Sequence, residues 1–458
     1  MQLVAYGAQD IYLTGNPQIT FFKVVYRRHT NFSMECIQQT FNGTVGTTAS
    51  TVTATISRNG DLVHGMHLEV AFGPQVFTGT TYTSWTNNTG HAFINEVELE
   101  IGGQRIDKHY GHWLDVWNEL TDHDGNEAQL INKFQAKDAF LRSVPVNGTK
   151  TITSTGSVHM YVPLKFWFNR NPGLALPLIA LQYHEVKVKL TTRGVLGLVN
   201  YDGTGTGAAS ATGQKCVLWA DYIFLDTDER RRFAQQSHEY LIEQLQYQQE
   251  TGAASVKLNL NHPVKELVWT VQHPVVATEA TAHAADTLDA TANTPGATGN
   301  TTAFTANNDY FNYDGEGSGV RGAANHCGDS VRGGVTSMEG FGRMKLTLNG
   351  HDRFATRNAS YFRTVQPLAA GHRVPSKHVY CYSFALKPEE HQPSGTCNFS
   401  RIDNARMVFE PHAVVNRLAI KTSNVGGNVD TASYVNIYAV NYNVLRIMSG
   451  MGGLAYSN

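Results

Sequence analysis

Histidines and carboxylates come together in the chain at one place that could hold a metal ion. His109 and His112 lie three positions apart, close to Asp107 and Asp115. On a helix this spacing would bring the two imidazoles near each other, and imidazole is a common zinc ligand. A zinc site needs three or four protein ligands, however, and no third ligand is evident. The spacing therefore favours a structural role for these side chains and predicts no metal.

Two other segments contain parts of ligand-binding motifs. The run 317–322 has the glycine spacing G-x-G-x-x-G, but the sequence pattern shows no strand before it and no helix after it, which a dinucleotide-binding fingerprint requires. The run 122–127 begins like a calcium loop, yet Glu127 stands where glycine is needed and Lys133 where a bidentate glutamate is needed. We therefore expect no cofactor at either segment.

The carboxylates do not form a convincing pair for acid–base catalysis. Glu96, Glu98 and Glu100 alternate along one segment, so on a strand they face the same side, whereas a glycosidase needs two carboxylates on opposite walls of a cleft. Neither Gly-x-Ser-x-Gly nor His-Glu-x-x-His occurs in the chain. The sequence therefore predicts a solvated sheet face here and no enzyme.

The elements that carry these residues are mostly strands. The segments 97–101, 186–190 and 344–348 alternate apolar and polar residues, which is the pattern of a half-buried strand. One helical pattern stands out, because Trp113, Val116, Trp117 and Leu120 recur at the spacing of a helix face. A second amphipathic stretch covers 130–141.

The two halves of the chain resemble each other in the order of their strand patterns. Four segments pair in one order: Val52, Ala54 and Ile56 with Val256, Leu258 and Leu260; Val97, Leu99 and Ile101 with Met344, Leu346 and Leu348; Val162, Leu164 and Phe166 with Tyr380, Tyr382 and Phe384; Tyr222 and Leu225 with Tyr442 and Leu445. Changes in the spacing between partners place insertions at about 108–160 and about 276–335. The second insertion is rich in small and polar residues, so we expect a long exposed loop.

A duplicated antiparallel domain of this length predicts an all-β protein of two tandem eight-stranded jelly-roll β-sandwiches, with long loop insertions and short helices. Exposed sheet edges must be protected, and double-sheet jelly rolls are one solution. We divide the chain into an N-terminal segment 1–32, a first jelly roll 33–228 and a second jelly roll 229–458. The junction lies in the polar segment 226–237, where we expect the basic run 230–232 to be a solvated linker.

Composition excludes several other classes of protein. Charged residues are 16% of the 458 residues and the net charge is −2, so no overall field attracts nucleic acid. Five scattered cysteines without a C-x-x-C pair argue against a disulfide framework and for a reducing compartment. The N-terminus lacks the pattern of a signal peptide, and no apolar run is long enough to span a bilayer. We expect a protein made and kept in the cytosol or in something assembled there.

Several long motifs resemble the major capsid proteins of large nucleocytoplasmic DNA viruses, a group that includes iridoviruses and the algal chlorella viruses. The motifs are YGAQDIYLTGNP at 6–17, TFFK at 20–23, YRRHTNF at 26–32, ISRNGDL at 56–62, EIGGQRIDK at 100–108 and LKFWFNRNPGLALP at 164–177. The resemblance is closest to the algal-virus members and runs through essentially the whole chain. The 276–335 loop matches no pattern of the family.

The resemblance implies a structural protein of the virion shell. Family members fold as two consecutive jelly rolls; three copies form a pseudo-hexagonal capsomer, and capsomers tile an icosahedral shell over an internal membrane. It implies that the partners are other copies, minor capsid proteins and penton proteins, with no membrane insertion, no direct nucleic-acid binding and assembly in the host cytoplasm. It places the N-terminal segment on the inner side against minor proteins, where the contact residues would be Tyr12, Asn16, Pro17, Phe21, Phe22, Arg27 and Arg28.

Glycosylation and two other functions stay open at this point. Relatives from algal viruses carry glycans on outer loops, and the candidate asparagines in N-x-[ST] sequons are Asn87, Asn147, Asn300, Asn358 and Asn398. The alternative function is a carbohydrate-binding or carbohydrate-cleaving jelly roll, because this fold hosts both activities. A nucleic-acid coat is a third hypothesis, which the lack of a basic tail disfavours.

Overall fold

The computed structural model of the chain describes residues 7–18, 20–24, 26–78, 83–131, 155–201, 206–207, 213–251, 253–272, 310–311, 313, 339–410 and 434–456. Strands dominate these residues and pair in antiparallel sheets. The sheets form two jelly rolls in sequence.

The first roll consists of two facing sheets and two short strand pairs. Its strands are β1 (Phe32–Gln39), β2 (Phe41–Asn42), β3 (Thr51–Thr55), β4 (Leu62–Phe72), β5 (Phe77–Thr78), β6 (Thr83–Trp85), β7 (Ile94–Ile101), β8 (Gln104–Tyr110), β9 (Val158–Pro163), β10 (Leu176–Pro177), β11 (Val186–Thr192), β12 (Val199–Tyr201), β13 (Thr206–Gly207) and β14 (Lys215–Leu225). One sheet has the order β1-β14-β4-β10, with β9 also on β4; the other has the order β2-β3-β11-β7-β8.

The second roll repeats this plan. Its strands are β15 (His238–Thr251), β16 (Ser255–Leu258), β17 (Pro263–Gln272), β18 (Arg343–Leu348), β19 (His351–Asp352), β20 (Arg357–Asn358), β21 (Val379–Ser383), β22 (Cys397–Asn398), β23 (Ala405–Glu410), β24 (Tyr434–Met448) and β25 (Met451–Leu454). One sheet has the order β15-β24-β17-β21, and the other has the order β16-β23-β18-β19. Since the eight principal strands of each roll occupy matching places, the predicted tandem jelly rolls are confirmed.

Short helices connect the strands. They are α1 (Asp10–Thr14), α2 (Thr89–Phe93), α3 (Gly111–Thr121), α4 (Glu127–Leu130), α5 (Trp167–Arg170), α6 (Thr227–Gln235) and α7 (Gln366–Ala370), together with a π-helix at Tyr361–Val365 and 3-10 turns at Pro172–Leu174, Val195–Leu198 and Phe399–Arg401. Among the described residues no helix is long and apolar enough to cross a membrane.

Alternating burial explains why these segments form facing sheets. In β11, Val186, Val188 and Leu190 are buried while the intervening lysines are only half-buried. One face of each sheet therefore points into the roll. The core of the first roll also includes side chains on the outer face of the second roll's sheet, among them Val268, Cys381 and Tyr438. The core of the first roll thus continues across the boundary between the rolls, while the interior of the second roll forms a core of its own.

Three of the four internal pairings join equivalent strands on equivalent faces: β3 with β16, β7 with β18 and β9 with β21. The fourth pairing finds equivalent strands, β14 and β24, but is wrong by one residue. Tyr222 points into the first roll, where its hydroxyl donates to the carbonyl of Ser57 over 2.6 Å, whereas Tyr442 lies on the outer face beside Lys265. Because β24 is buried on both faces, its apolar pattern does not tell which side points inward.

The helical prediction at 113–120 is confirmed, since α3 covers these residues and buries all four apolar side chains. The stretch 130–141 lies outside the described residues except at its first two positions. The basic run 230–232 is exposed and lies between β14 and β15, as expected of a solvated linker, but the segment is helical and forms α6. Asp226 is the N-cap residue, and Asp228 and Glu229 lie in the first turn. Negative charges at these positions favour a helix because they interact well with the positive end of the helix dipole.

The expected exposed loop at 276–335 is wrong at three positions. Tyr310, Phe311 and Tyr313 are buried, with at most 6% of each residue exposed. The small polar residues around them in the sequence predict exposure to solvent. The three aromatic side chains differ because each can remove a large apolar area from water by packing against the rolls. The remainder of that segment lies outside the described residues.

Candidate functional site

The described residues contain no group of three or more His, Cys, Asp or Glu side chains that could hold a metal ion. The structural feature that dominates instead is the boundary between the two rolls, which we call the seam. The outer face of the β15-β24-β17-β21 sheet packs there against β8 and α3 of the first roll. A seam of this kind holds two similar units in a fixed relationship.

Aromatic rings fill the centre of the seam. The ring of Trp113 on α3 lies 5.3 Å from that of Tyr438 on β24. Tyr438 also stacks on Tyr247, 5.1 Å away, and Tyr247 contacts Tyr110 at the end of β8, 4.6 Å away. Rings at these separations contribute beyond the area that they bury. The seam is therefore an apolar interface of the kind found inside a protein core.

Charged groups lie beside the rings and cross the seam. Arg170 of the first roll lies 2.9 Å from Glu243 of the second, and the buried ammonium of Lys265 lies 2.8 Å from the other carboxylate oxygen. Burial alone would raise the pKa of Glu243, but Arg170, His391 and Lys265 outweigh it and lower the pKa to about 2. Glu243 is therefore ionised at every physiological pH.

A buried histidine joins two carboxylates at the same boundary. Nε2 of His372 lies 2.9 Å from Glu266, and its Nδ1 lies 2.7 Å from Glu389. Burial would lower the pKa of His372, but the carboxylates of Glu266 and Glu389 raise it to about 9. The imidazole is consequently cationic at neutral pH, and its ring meets the edge of Trp117 at 6.4 Å.

The histidines considered for metal binding lie in two separate environments. His109 is on β8 and His112 on α3, so the two histidines do not lie on one helix. The strand continues to Tyr110 because it pairs with β7. Nε2 of His109 lies 2.9 Å from Asp107. Burial lowers the pKa of His112 to about 3, so its imidazole is neutral.

Asp115 holds a different set of partners. Nζ of Lys377 lies 2.7 Å from one carboxylate oxygen, and the hydroxyl of Tyr313 donates to the other over 3.0 Å. The side chain of Asn88 also bonds to this carboxylate. Asp115 on α3 therefore ties the second roll and one residue of its large insertion to the first roll.

The other candidate motifs have structural roles where they are described. In the calcium-like run, Asp122 accepts from the backbone of Asn126 over 3.1 Å, and Glu127 pairs with Lys165. On β7, Glu96 lies 2.6 Å from Lys108, and Glu98 is bound by the same lysine at 3.2 Å. These two glutamates are thus paired with cations on a sheet face, but the predicted solvated face is wrong at Glu98, which is buried with 8% exposed. The glycine-rich run 317–322 lies outside the described residues.

The N-terminal segment presents its large side chains to solvent. Tyr12 is 90% exposed, and Phe21 and Phe22 are 93% and 98% exposed. The remaining candidate contact residues, Asn16, Pro17, Arg27 and Arg28, are exposed as well. Apolar residues displayed in this way on one segment are typical of a surface that another protein covers.

The candidate glycosylation sites differ in accessibility. Asn358 and Asn398 are exposed, but Asn398 lies opposite Pro263 at the start of β17, at the end of the roll away from the large insertion. Asn87 is half-buried and therefore less accessible than Asn358 and Asn398. Asn147 and Asn300 lie outside the described residues.

Sequence reasoning missed the residues that join the rolls. Lys265, Glu266 and His372 gave no motif, because their partners lie far away in the chain. The aromatic group 310–313 did leave a signal, since large rings are rare in the insertion that contains it. An aromatic cluster inside a small-residue segment favours an anchor that packs against a folded surface.

Comparisons with known proteins agree along almost the whole chain. Residues 20–226 match the family described as "Major capsid protein N-terminus", and residues 229–453 match "Large eukaryotic DNA virus major capsid protein". The major capsid protein of Phaeocystis pouchetii virus is 45% identical over 100% of this chain and 99% of its own. That of Paramecium bursaria Chlorella virus 1 is also 45% identical, with the same coverage.

Solved structures give the same picture. The crystal structure of PBCV-1 VP54 has a TM-score of 0.71 and 38% identity, and covers 96% of this chain and 100% of that protein. The Faustovirus major capsid protein has a TM-score of 0.68 at 12% identity, over 97% of this chain and 94% of that one. At that identity the second likeness concerns the fold alone.

Proposed function

Because this chain belongs to the major capsid protein family of large eukaryotic DNA viruses, we propose that three copies form a pseudo-hexagonal capsomer and that capsomers tile an icosahedral shell. Like its curated relatives, the chain is a structural protein of the capsid and not an enzyme. Its function is to associate with other copies of itself in the capsid shell.

The observation that carries the proposal is the repeat of one roll beside another. Each chain contributes two rolls of the same strand order, held side by side by the seam. Three chains related by a closed three-fold axis then give a ring of six similar rolls. Because such an interface is head-to-tail, each copy must present two different side surfaces.

Sizing with light scattering and electron microscopy of the purified protein test this proposal. A trimer has three times the chain mass of 50.4 kDa, about 151 kDa, and a hexagonal outline. A stable monomer of 50.4 kDa at micromolar concentration would overturn the capsomer.

We propose further roles for the segments around the rolls. The N-terminal segment 1–32, with Tyr12, Phe21 and Phe22 exposed, contacts minor capsid and penton proteins on the inner side, near but not in the internal membrane. The rolls 33–228 and 229–458 form the wall, and glycans occupy outer loops. Assembly takes place in the host cytoplasm and without direct binding of nucleic acid; tight DNA binding at physiological salt contradicts this last point.

A further inference from the structure

The two rolls are built alike, yet in the part of the chain that the structure describes only one of two equivalent sheet faces is covered. In the second roll, the outer face of β15-β24-β17-β21 is buried by α3. In the first roll, the outer face of β1-β14-β4-β9 carries His67, Tyr161 and Trp219, which we call the aromatic face. Tyr161 is 37% exposed, and His67 and Trp219 are half-buried.

The strand registers show which residues are equivalent. Trp219 on β14 lies opposite His67 on β4, and Tyr438 on β24 lies opposite Val268 on β17. Both pairs point away from their own roll. Trp219 therefore occupies the place of Tyr438, the residue against which Trp113 of α3 packs at 5.3 Å.

The second roll has a helix in the position of α3. In the first roll, Tyr110 pairs with Glu96 and α3 begins at the next residue. In the second roll, Asn358 pairs with Arg343, and a helical segment follows at once and runs through 359–370. Each helix thus leaves the same hairpin at the same place.

These two helices differ in what covers them. Nine of the eleven residues of α3 are buried, because one side packs on its own roll and the other on the second roll. The helical segment 359–370 buries Phe362 and Pro367 against its own roll but leaves Val365 51% and Leu368 70% exposed. Among the described residues, therefore, one helix and one sheet face are left exposed, and each is the equivalent of a surface that is covered at the seam.

We propose that the helical segment 359–370 of one copy packs on the aromatic face of the next copy, as α3 packs on the second roll within the chain. This inference rests on the proposed trimer and names its two side surfaces. Three such contacts alternate with three seams and close the ring. Head-to-tail closure requires two unlike surfaces of this kind.

The aromatic face is prepared for an apolar partner. The rings of His67 and Trp219 stack 6.5 Å apart, and Tyr161 lies 6.0 Å from His67. Beneath them Glu69 accepts from the indole of Trp219 over 2.8 Å and pairs with Lys215. These groups fix the rings, so Val365 and Leu368 of the neighbour can pack on a preformed surface.

Two charge substitutions test the contact, with an exposed leucine as the matched control. Leu368→Asp damages the helix surface and Tyr161→Asp damages the aromatic face; Leu386→Asp changes a residue that is 78% exposed and outside both surfaces. We expect light scattering to give about 151 kDa for the wild type and Leu386→Asp, and 50.4 kDa for the other two. Circular dichroism and melting checks that each variant is folded.

Mixing the two disabled variants gives the sharper result. Each retains one intact surface, so an equimolar mixture is expected to form a heterodimer of twice 50.4 kDa, about 101 kDa, and to stop there. Trimers that persist in both single variants overturn these surfaces while leaving the capsomer intact, and so does a mixture that stays monomeric. A monomeric wild type instead overturns the capsomer itself.

Discussion

Nε2 of His372 lies 2.9 Å from a carboxylate oxygen of Glu266, and neither side chain is exposed to solvent. The two residues come from different parts of the second roll and meet next to Trp117 of the first. A charged pair in this position makes the stability of the seam depend on protonation.

The first prediction concerns pH. The pKa of His372 rises from 6.5 to about 9 in the folded protein. The folded protein therefore binds this proton more tightly than the unfolded chain does. The stabilisation is complete below pH 6.5 and is lost as the pH rises through about 9, by roughly 3 kcal/mol at most. Urea denaturation from pH 6 to 10 should show this loss in the wild type and a smaller slope in His372→Gln. Parallel curves for the two proteins contradict it.

The second prediction concerns the buried pair of Lys265 and Glu243. Lys265→Met leaves a buried carboxylate without one of its cations, which typically costs about 3–5 kcal/mol of unfolding free energy. Glu243→Gln in the same background removes the charge that was left and should recover part of that loss. A double-mutant cycle by urea denaturation measures the coupling. Strictly additive effects would mean that the two groups do not interact.

The third prediction concerns the anchor at 310–313. Tyr313→Phe removes one hydroxyl that donates to Asp115, and a hydrogen bond to a charged group contributes about 1.5–3 kcal/mol. Thermal melting should show a lower midpoint than for Tyr456→Phe, a matched change at a residue that is largely exposed. Equal midpoints would show that the hydrogen bond from Tyr313 to Asp115 contributes nothing to stability.

The fourth prediction compares adjacent glycines in the turn between β7 and β8. Both have positive φ, 59° at Gly102 and 81° at Gly103, so alanine strains the backbone at either position. A Cβ at Gly102 would lie 2.4 Å from Nδ1 of His184, whereas one at Gly103 meets nothing within 4 Å. We expect Gly102→Ala to be the more destabilising by about 1–3 kcal/mol, measured by urea denaturation. The reverse order would exclude the clash as its cause.

Much of the fold could be predicted from the sequence because strand alternation and helix periodicity are local. The hairpin of β7 and β8 and its partner β18 and β19 share a pattern and a glycine turn, and α3 shows a clear apolar face. The one-residue error at Tyr222 and Tyr442 arose where a strand is apolar on both sides. Periodicity specifies a face only when the opposite face is polar.

The seam could not be predicted in the same way. Arg170 and Glu243, or Lys377 and Asp115, are bound partners separated by long stretches of chain, and no local pattern relates them. Only the packing of one roll on the other brings them together. The correspondence between α3 and the segment 359–370 likewise follows from the strand registers of the structure and not from the sequence pattern.

The apolar core that runs from the first roll through Val268, Cys381 and Tyr438 has a mechanical consequence. Close-packed interiors resist deformation, so the described boundary between the rolls is stiff and the two rolls move together. A closed shell built from such stiff molecules must take up its curvature at the contacts between separate molecules. Those outer joints, rather than the protein interior, then set how sharply the wall can bend.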